Sequence, residues 1–143
     1  RDLGMNVVPL GPDVLAQVSA AARRGDAVCL LSDRDLSGTG VEVEFFGEVT
    51  TLPAGPALLG LRLGCPVLPT AAYFTEREGV HGVVCPPIDA TRVPGTSLRE
   101  NIQRVTQDLA HALERLISAA PEQWHLMQPN WPSDREALAS ARR

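Results

Sequence analysis

Asp33, Arg34 and Asp35 follow directly on an apolar run, and Glu42 and Glu44 lie a few residues further on, past a turn containing Gly38 and Gly40. Carboxylates in such a cluster can accept hydrogen bonds from hydroxyl groups, and a guanidinium between them suits either a carboxylate or a phosphate. If this stretch is extended, Asp33 and Asp35 point one way and Arg34 the other. The glycines permit a tight turn. Val41-Glu42-Val43-Glu44-Phe45 alternates strictly, which predicts a strand with Glu42 and Glu44 together on its wet face. Two ordinary readings stand beside these: a solvated loop for Asp33–Asp35, and the polar side of an edge strand for Glu44.

The elements that must position these residues can be read on either side. Ala27 to Leu31 and Val67 to Phe74 are apolar runs of strand length, the pattern of strands buried on both faces. Met5 to Leu10 predicts a first strand, and Gly11-Pro12-Asp13 opens a helix closed by Arg23-Arg24-Gly25. Strand, helix and strand in that order predict a βαβ unit with parallel neighbours. A helix is expected over Pro56 to Leu63, ending at Gly64. The strands Pro66 to Phe74 and Val80 to Cys85 are joined by the polar turn Thr75 to Gly79, so they should be antiparallel. The three prolines of Pro86 to Thr96 predict an irregular loop. Ser97 and Glu100 form a capping box before the longest helix, whose apolar stripe is Ile102, Val105, Leu109, Leu113, Leu116 and Ile117. His111 falls on its polar side. Trp124 and Trp131 are expected to pack a C-terminal segment on the core. Ser133 to Arg143 reads as a polar tail of weak helical promise.

With 143 residues and 44% hydrophobic content the chain can bury one core. A net charge of -4 argues against general nucleic-acid binding, because there is no basic surplus to release counterions. Every one of the 13 basic residues is arginine. Cys29, Cys65 and Cys85 are odd in number, widely spaced and set in or beside apolar runs, so buried reduced thiols and a reducing compartment are expected. No CxxC pair suggests a metal, and no stretch reaches the roughly 18 apolar residues of a membrane span. There is no signal-peptide pattern.

Taken as one string, the order is an apolar run, DRD, a glycine turn, VEVEFFG, a threonine-rich segment, PAGPALLGLRLGCPVLP and, near the end, PEQWH. From about Arg1 to Trp131 this resembles the C-terminal half of the bacterial acyltransferases related to the lipid A lauroyl and myristoyl transferases. Within that group it is most similar to the actinobacterial branch acting on phosphatidylinositol mannosides. The resemblance implies an α/β fold with a mostly parallel central sheet flanked by helices, in which residues 1–132 form the C-terminal half of one domain and 133–143 a tail. It implies transfer of a long acyl chain from acyl-CoA to a mannose hydroxyl of the glycolipid, at the cytoplasmic face of the plasma membrane, with no cofactor and no metal. The implied partners are acyl-CoA, the glycolipid acceptor, the inner membrane face and the N-terminal half of the same protein.

One departure stands out. The family carries its catalytic base on a histidine followed, after four residues, by aspartate or glutamate. Five positions after His81, His111 and His125 stand Pro86, Leu116 and Asn130. No catalytic residue is therefore assigned here, and the base is expected upstream, as suits a sequence opening on Arg1. Substrate contact is assigned to Glu44 and, behind it, Asp33, Arg34 and Asp35. The competing expectation is a non-catalytic α/β domain whose DLSGTG loop binds a phosphate or other ligand. That loop leads into a strand pattern rather than a helix, so it lacks the usual anion-binding helix start. A third is a purely structural interaction domain. A histidine-x4-carboxylate motif in upstream sequence separates the enzyme from both.

Overall fold

The alternation of Val41–Phe45 sets the architecture, because it gives one strand a dry face that the longest helix can cover. A computed structural model describes residues 4–9, 11–77 and 79–141. In it β1 (Val41–Phe45) pairs antiparallel with β2 (Glu48–Leu52), and β3 (Thr70–Thr75) pairs antiparallel with β4 (Gly79–Val84). Around them lie α1 (Val14–Arg23), α2 (Gly55–Leu63), α3 (Leu98–Ala119) and α4 (Pro132–Ala141). Among the described residues this is a small α/β arrangement with two separate two-stranded sheets.

The β1–β2 turn consists of Phe46 and Gly47, with φ of 53° and 77°. Positive φ at both positions is what a tight hairpin turn of the I′ class requires. Glycine adopts it freely; phenylalanine does not. Phe46 is held there by its neighbours, stacked on Trp124 at a centroid distance of 5.8 Å, with its amide donating to Glu114 Oε1 at 2.6 Å. Sequence inspection read this stretch only as threonine-rich; the second strand is a finding of the structure.

The core forms where α3 crosses the hairpin. Val43, Phe45 and Leu52 are buried with Ala110, and Leu113, Ile117, Trp124 and Trp131 pack against them. The expected capping box closes the start of α3: Glu100 N–H donates to Ser97 Oγ, and Ser97 N–H donates to Glu100 Oε2. Two glutamines close strand edges, each offering a donor and an acceptor as a strand residue would. Gln107 accepts from Glu44 N–H at 2.9 Å and donates to Glu44 C=O at 2.8 Å. Gln123 accepts from Phe74 N–H at 2.7 Å and donates to its carbonyl at 3.1 Å. Blocked edges of this kind resist pairing with other chains.

The parallel central sheet is not what the described residues form. Residues 5–9 and Ala27 to Leu31 carry no strand ladder, Leu10 lies outside the described residues, and the expected βαβ unit is absent. The reason is physical: a strand buried on both faces needs hydrogen-bonded neighbours at its edges. None of the described strands pairs with these runs, and Leu31 is left 87% exposed. Cys29 is exposed rather than buried, while Cys65 and Cys85 are half-buried free thiols. The Pro66 to Phe74 run is strand only from Thr70, Val67 making a single bridge to Ile88. Of the turn Thr75 to Gly79, Glu78 is outside the described residues.

The tail also differs from its expectation. α4 occupies 132–141, with Arg142 and Arg143 outside the described residues. Asp134 accepts from the amides of Asn130 and Trp131, and Ser133 binds Glu48 through both its amide and its hydroxyl. The tail is thus tied to β2 and to its own first turn. No described helix is long and apolar enough to cross a membrane.

Candidate functional site

Cross-strand partners in an antiparallel pair project to the same face. The register therefore places Glu42 with Thr51 and Glu44 with Val49 on the wet side of the hairpin, opposite Val43 and Phe45. The Glu44 carboxylate is exposed and has no hydrogen-bond partner among the described residues, whereas its backbone is held at both polar atoms by Gln107. Gln103 donates to Glu42 C=O and Glu114 accepts from Phe46 N–H, so α3 runs a polar stripe along the β1 edge. Residues four and seven apart share a helix face, which is why 103, 107 and 114 meet one strand. The result is a rigid backbone presenting a free carboxylate.

Asp35 is bound over the same wet face. Its Oδ1 accepts from Ser37 N–H at 2.9 Å, the Ser37 hydroxyl at 2.6 Å and Gly38 N–H at 3.1 Å. Its Oδ2 accepts from Gly40 N–H at 2.6 Å and the Thr51 hydroxyl at 3.0 Å. Burial works to raise the Asp35 pKa, but the bonds from the Ser37 hydroxyl, the Gly40 and Ser37 amides and the Thr51 hydroxyl outweigh it and hold the carboxyl below its ordinary value. Gly40 is obligatory: a Cβ there would stand 2.5 Å from Leu52 C=O and 2.7 Å from Asp35 Oδ2. Because Thr51 is on the rung of Glu42, Asp35 is fixed two rungs from that of Glu44, roughly 7 Å of strand.

Asp33 serves another part of the molecule. Its Oδ2 accepts the Trp124 indole N–H at 2.8 Å, joining the loop to the Phe45, Phe46, Trp124 and Trp131 cluster. Trp131 in turn donates to Phe45 C=O at 2.9 Å. The chain bends between 33 and 40, so the two aspartates do not act as a pair: one anchors the C-terminal segment, the other β2. Arg34, between them, is half-buried and has no hydrogen-bond or ion-pair partner among the described residues.

Three amides of the DLSGTG loop, those of Ser37, Gly38 and Gly40, already donate to Asp35. They are the donors a phosphate in that loop would require. The chain's own carboxylate occupies their place, which weighs against the loop as a phosphate cradle. No group of three or more potential metal ligands is gathered among the described residues. His111 is exposed on α3 with Nε2 3.0 Å from Gln107 Nε2.

Thr51 and Gln107 are the residues that sequence reading missed, and for Trp124 it gave the packing but not the bond to Asp33. Gln107 carried no signal, because a glutamine on the polar side of an amphipathic helix reads as solvent-facing. Trp124 did carry one: an indole N–H needs an acceptor when packed.

A family model described as bacterial lipid A biosynthesis acyltransferase matches residues 1–133. The chain is 38% identical over 146 residues to a phosphatidylinositol mannoside acyltransferase of Mycobacterium tuberculosis strain H37Rv, covering 100% of this chain and 43% of that protein. It is 34% identical over 137 residues to the protein of that name from Mycolicibacterium smegmatis, covering 94% of this chain and 42% of the relative. The chain thus spans less than half the length of these relatives.

Proposed function

The chain belongs to the bacterial lipid A biosynthesis acyltransferase family, and from that premise we propose that it is the C-terminal half of an acyl-CoA-dependent enzyme acylating a mannose hydroxyl of a phosphatidylinositol mannoside. The enzyme works as a peripheral protein at the cytoplasmic face of the plasma membrane and needs no cofactor. The general base, on a histidine-x4-carboxylate motif, comes from the N-terminal half of the same protein. That half also supplies the strands that Ala27 to Leu31 pair with, completing a mostly parallel sheet and covering side chains such as Leu31 and Phe74, now 87% and 75% exposed.

The observation that carries this reading is Glu44. Its backbone is clamped by Gln107 while its carboxylate stays exposed and unpartnered among the described residues. Such a group can accept hydrogen bonds from sugar hydroxyls and hold the acceptor toward the base, leaving the proton transfer and the oxyanion donors to the other half.

The test is Glu44→Gln in the intact enzyme, which keeps the side-chain size and removes the charge. A hydrogen bond to a charged group contributes about 1.5 to 3 kcal/mol. Transfer to the sugar should fall at least about tenfold with the melting temperature nearly unchanged. Undiminished transfer would show that Glu44 is merely the polar side of a strand. The 143-residue chain alone should give no transfer above background.

A further inference from the structure

Of the three charged residues that open the Asp33–Gly40 loop, two are occupied and one is not. Asp33 accepts from Trp124, and both oxygens of Asp35 are taken by Ser37, Gly38, Gly40 and Thr51. Arg34 lies between them, half-buried, yet within ion-pair distance of no carboxylate among the described residues. A guanidinium keeps its charge at any physiological pH and presents five donors in a fixed fork. Its nitrogens are not sealed from water, so the fork stands open to an arriving anion, with no acceptor among the described residues to compete for it. The flanking carboxylates cannot turn to it without breaking the bonds that shape the loop. The loop's own anion-binding amides are already filled by Asp35. Arg34 is therefore the loop's remaining anion receptor, on the segment whose Asp35 is fixed two rungs from Glu44.

We propose that Arg34 binds a phosphate group of the substrate, in the fork geometry that its five donors suit. This rests on the acyltransferase reading above, which offers two sources of phosphate: the acyl-CoA donor and the phosphodiester of the glycolipid acceptor. Asp33 and Asp35 act as positioning residues, holding the backbone on both sides of Arg34. The loop carboxylates then serve the architecture, and specificity falls to the neighbouring guanidinium and to Glu44.

The experiment compares Arg34→Gln and Arg34→Lys with the parent in the intact enzyme, measuring KM and kcat for donor and acceptor separately. A donor arm replaces acyl-CoA by the phosphate-free acyl-N-acetylcysteamine thioester, and an acceptor arm uses a mannosyl glycolipid lacking the phosphodiester. Arg34→Gln should raise KM about ten- to a hundredfold for whichever substrate supplies the phosphate, and the penalty should vanish with the matching phosphate-free analogue. Lysine should recover part of the loss, since it keeps the charge without the fork. Unchanged KM for both substrates, or equal losses with and without phosphate, overturns the proposal. So does a loss explained by a fall in melting temperature, which would mark Arg34 as the partner of a carboxylate elsewhere in the protein. A second readout is independent of catalysis: ³¹P line broadening of inorganic pyrophosphate by the parent, expected to disappear in Arg34→Gln. If the parent transfers no acyl group but shows Arg34-dependent broadening, the acyltransferase reading fails and the phosphate site stands. Without transfer and without such broadening, both fall.

Discussion

Replacing Asp35 by asparagine tests whether the loop is held by one carboxylate acting through both oxygens. Asparagine has nearly the same shape but only one acceptor oxygen, and its NH₂ must face one of the two donor sets. Against Ser37 and Gly38 it meets two amide N–H groups; against Gly40 it meets an N–H now 2.6 Å from Oδ2. Neither amide orientation removes the clash of donors. The Ser37 and Gly38 donors are exposed and regain water at small cost, whereas the Gly40 amide and the Thr51 hydroxyl are part-buried. Stranding a buried donor costs about 1 to 3 kcal/mol, so the asparagine variant should lose about that much and the alanine variant about 2 to 4 kcal/mol. Urea unfolding of the intact enzyme, followed by the fluorescence of Trp124 and Trp131, reads the change as a shifted midpoint at constant slope. The folded-state pKa of Asp35 lies below its ordinary value of 3.8, so its stabilisation is present above that pH and is lost as the pH falls through the lowered folded value. The gap between parent and asparagine variant should therefore narrow below pH 3.8. An asparagine variant within about 0.5 kcal/mol of the parent at neutral pH would refute the reasoning, since that is the range of surface substitutions touching nothing important.

Two more predictions follow from contacts with distant parts of the chain. Gln107→Ala frees both backbone groups of Glu44; amide exchange at Glu44 should accelerate and stability fall by about 1 to 2 kcal/mol, whereas unchanged exchange would mean the edge is protected in another way. Trp124→Phe keeps an aromatic ring against Phe46 but removes the 2.8 Å bond to Asp33, with an expected loss of about 1 to 3 kcal/mol; a variant as stable as the parent would show that Asp33 is satisfied by water.

Much of the molecule was legible because local signals and tertiary needs agree. The β1 alternation, the Ser97–Glu100 capping box, the α3 stripe and the packing of both tryptophans each require only neighbouring residues and a generic core to pack against. The chain itself also carries the family relationship, through the order DRD, VEVEFFG and PEQWH. What periodicity could not supply was the pairing of the apolar runs. Met5 to Leu10 and Ala27 to Leu31 look like buried strands because their composition suits a two-sided sheet, yet a ladder needs partners and none of the described strands offers one. The roles of the charged residues were equally beyond local reading. Spacing put Asp33 and Asp35 together, but tertiary contacts separate them: a tryptophan 91 residues away takes one, and a threonine 16 residues away, on the second strand of the hairpin, takes part of the other. Sequence determined which residues could carry charge and which face Glu44 would occupy. Only the folded structure decided which of those charges are consumed in holding the loop, because a hydrogen-bond partner distant in sequence leaves no periodic trace.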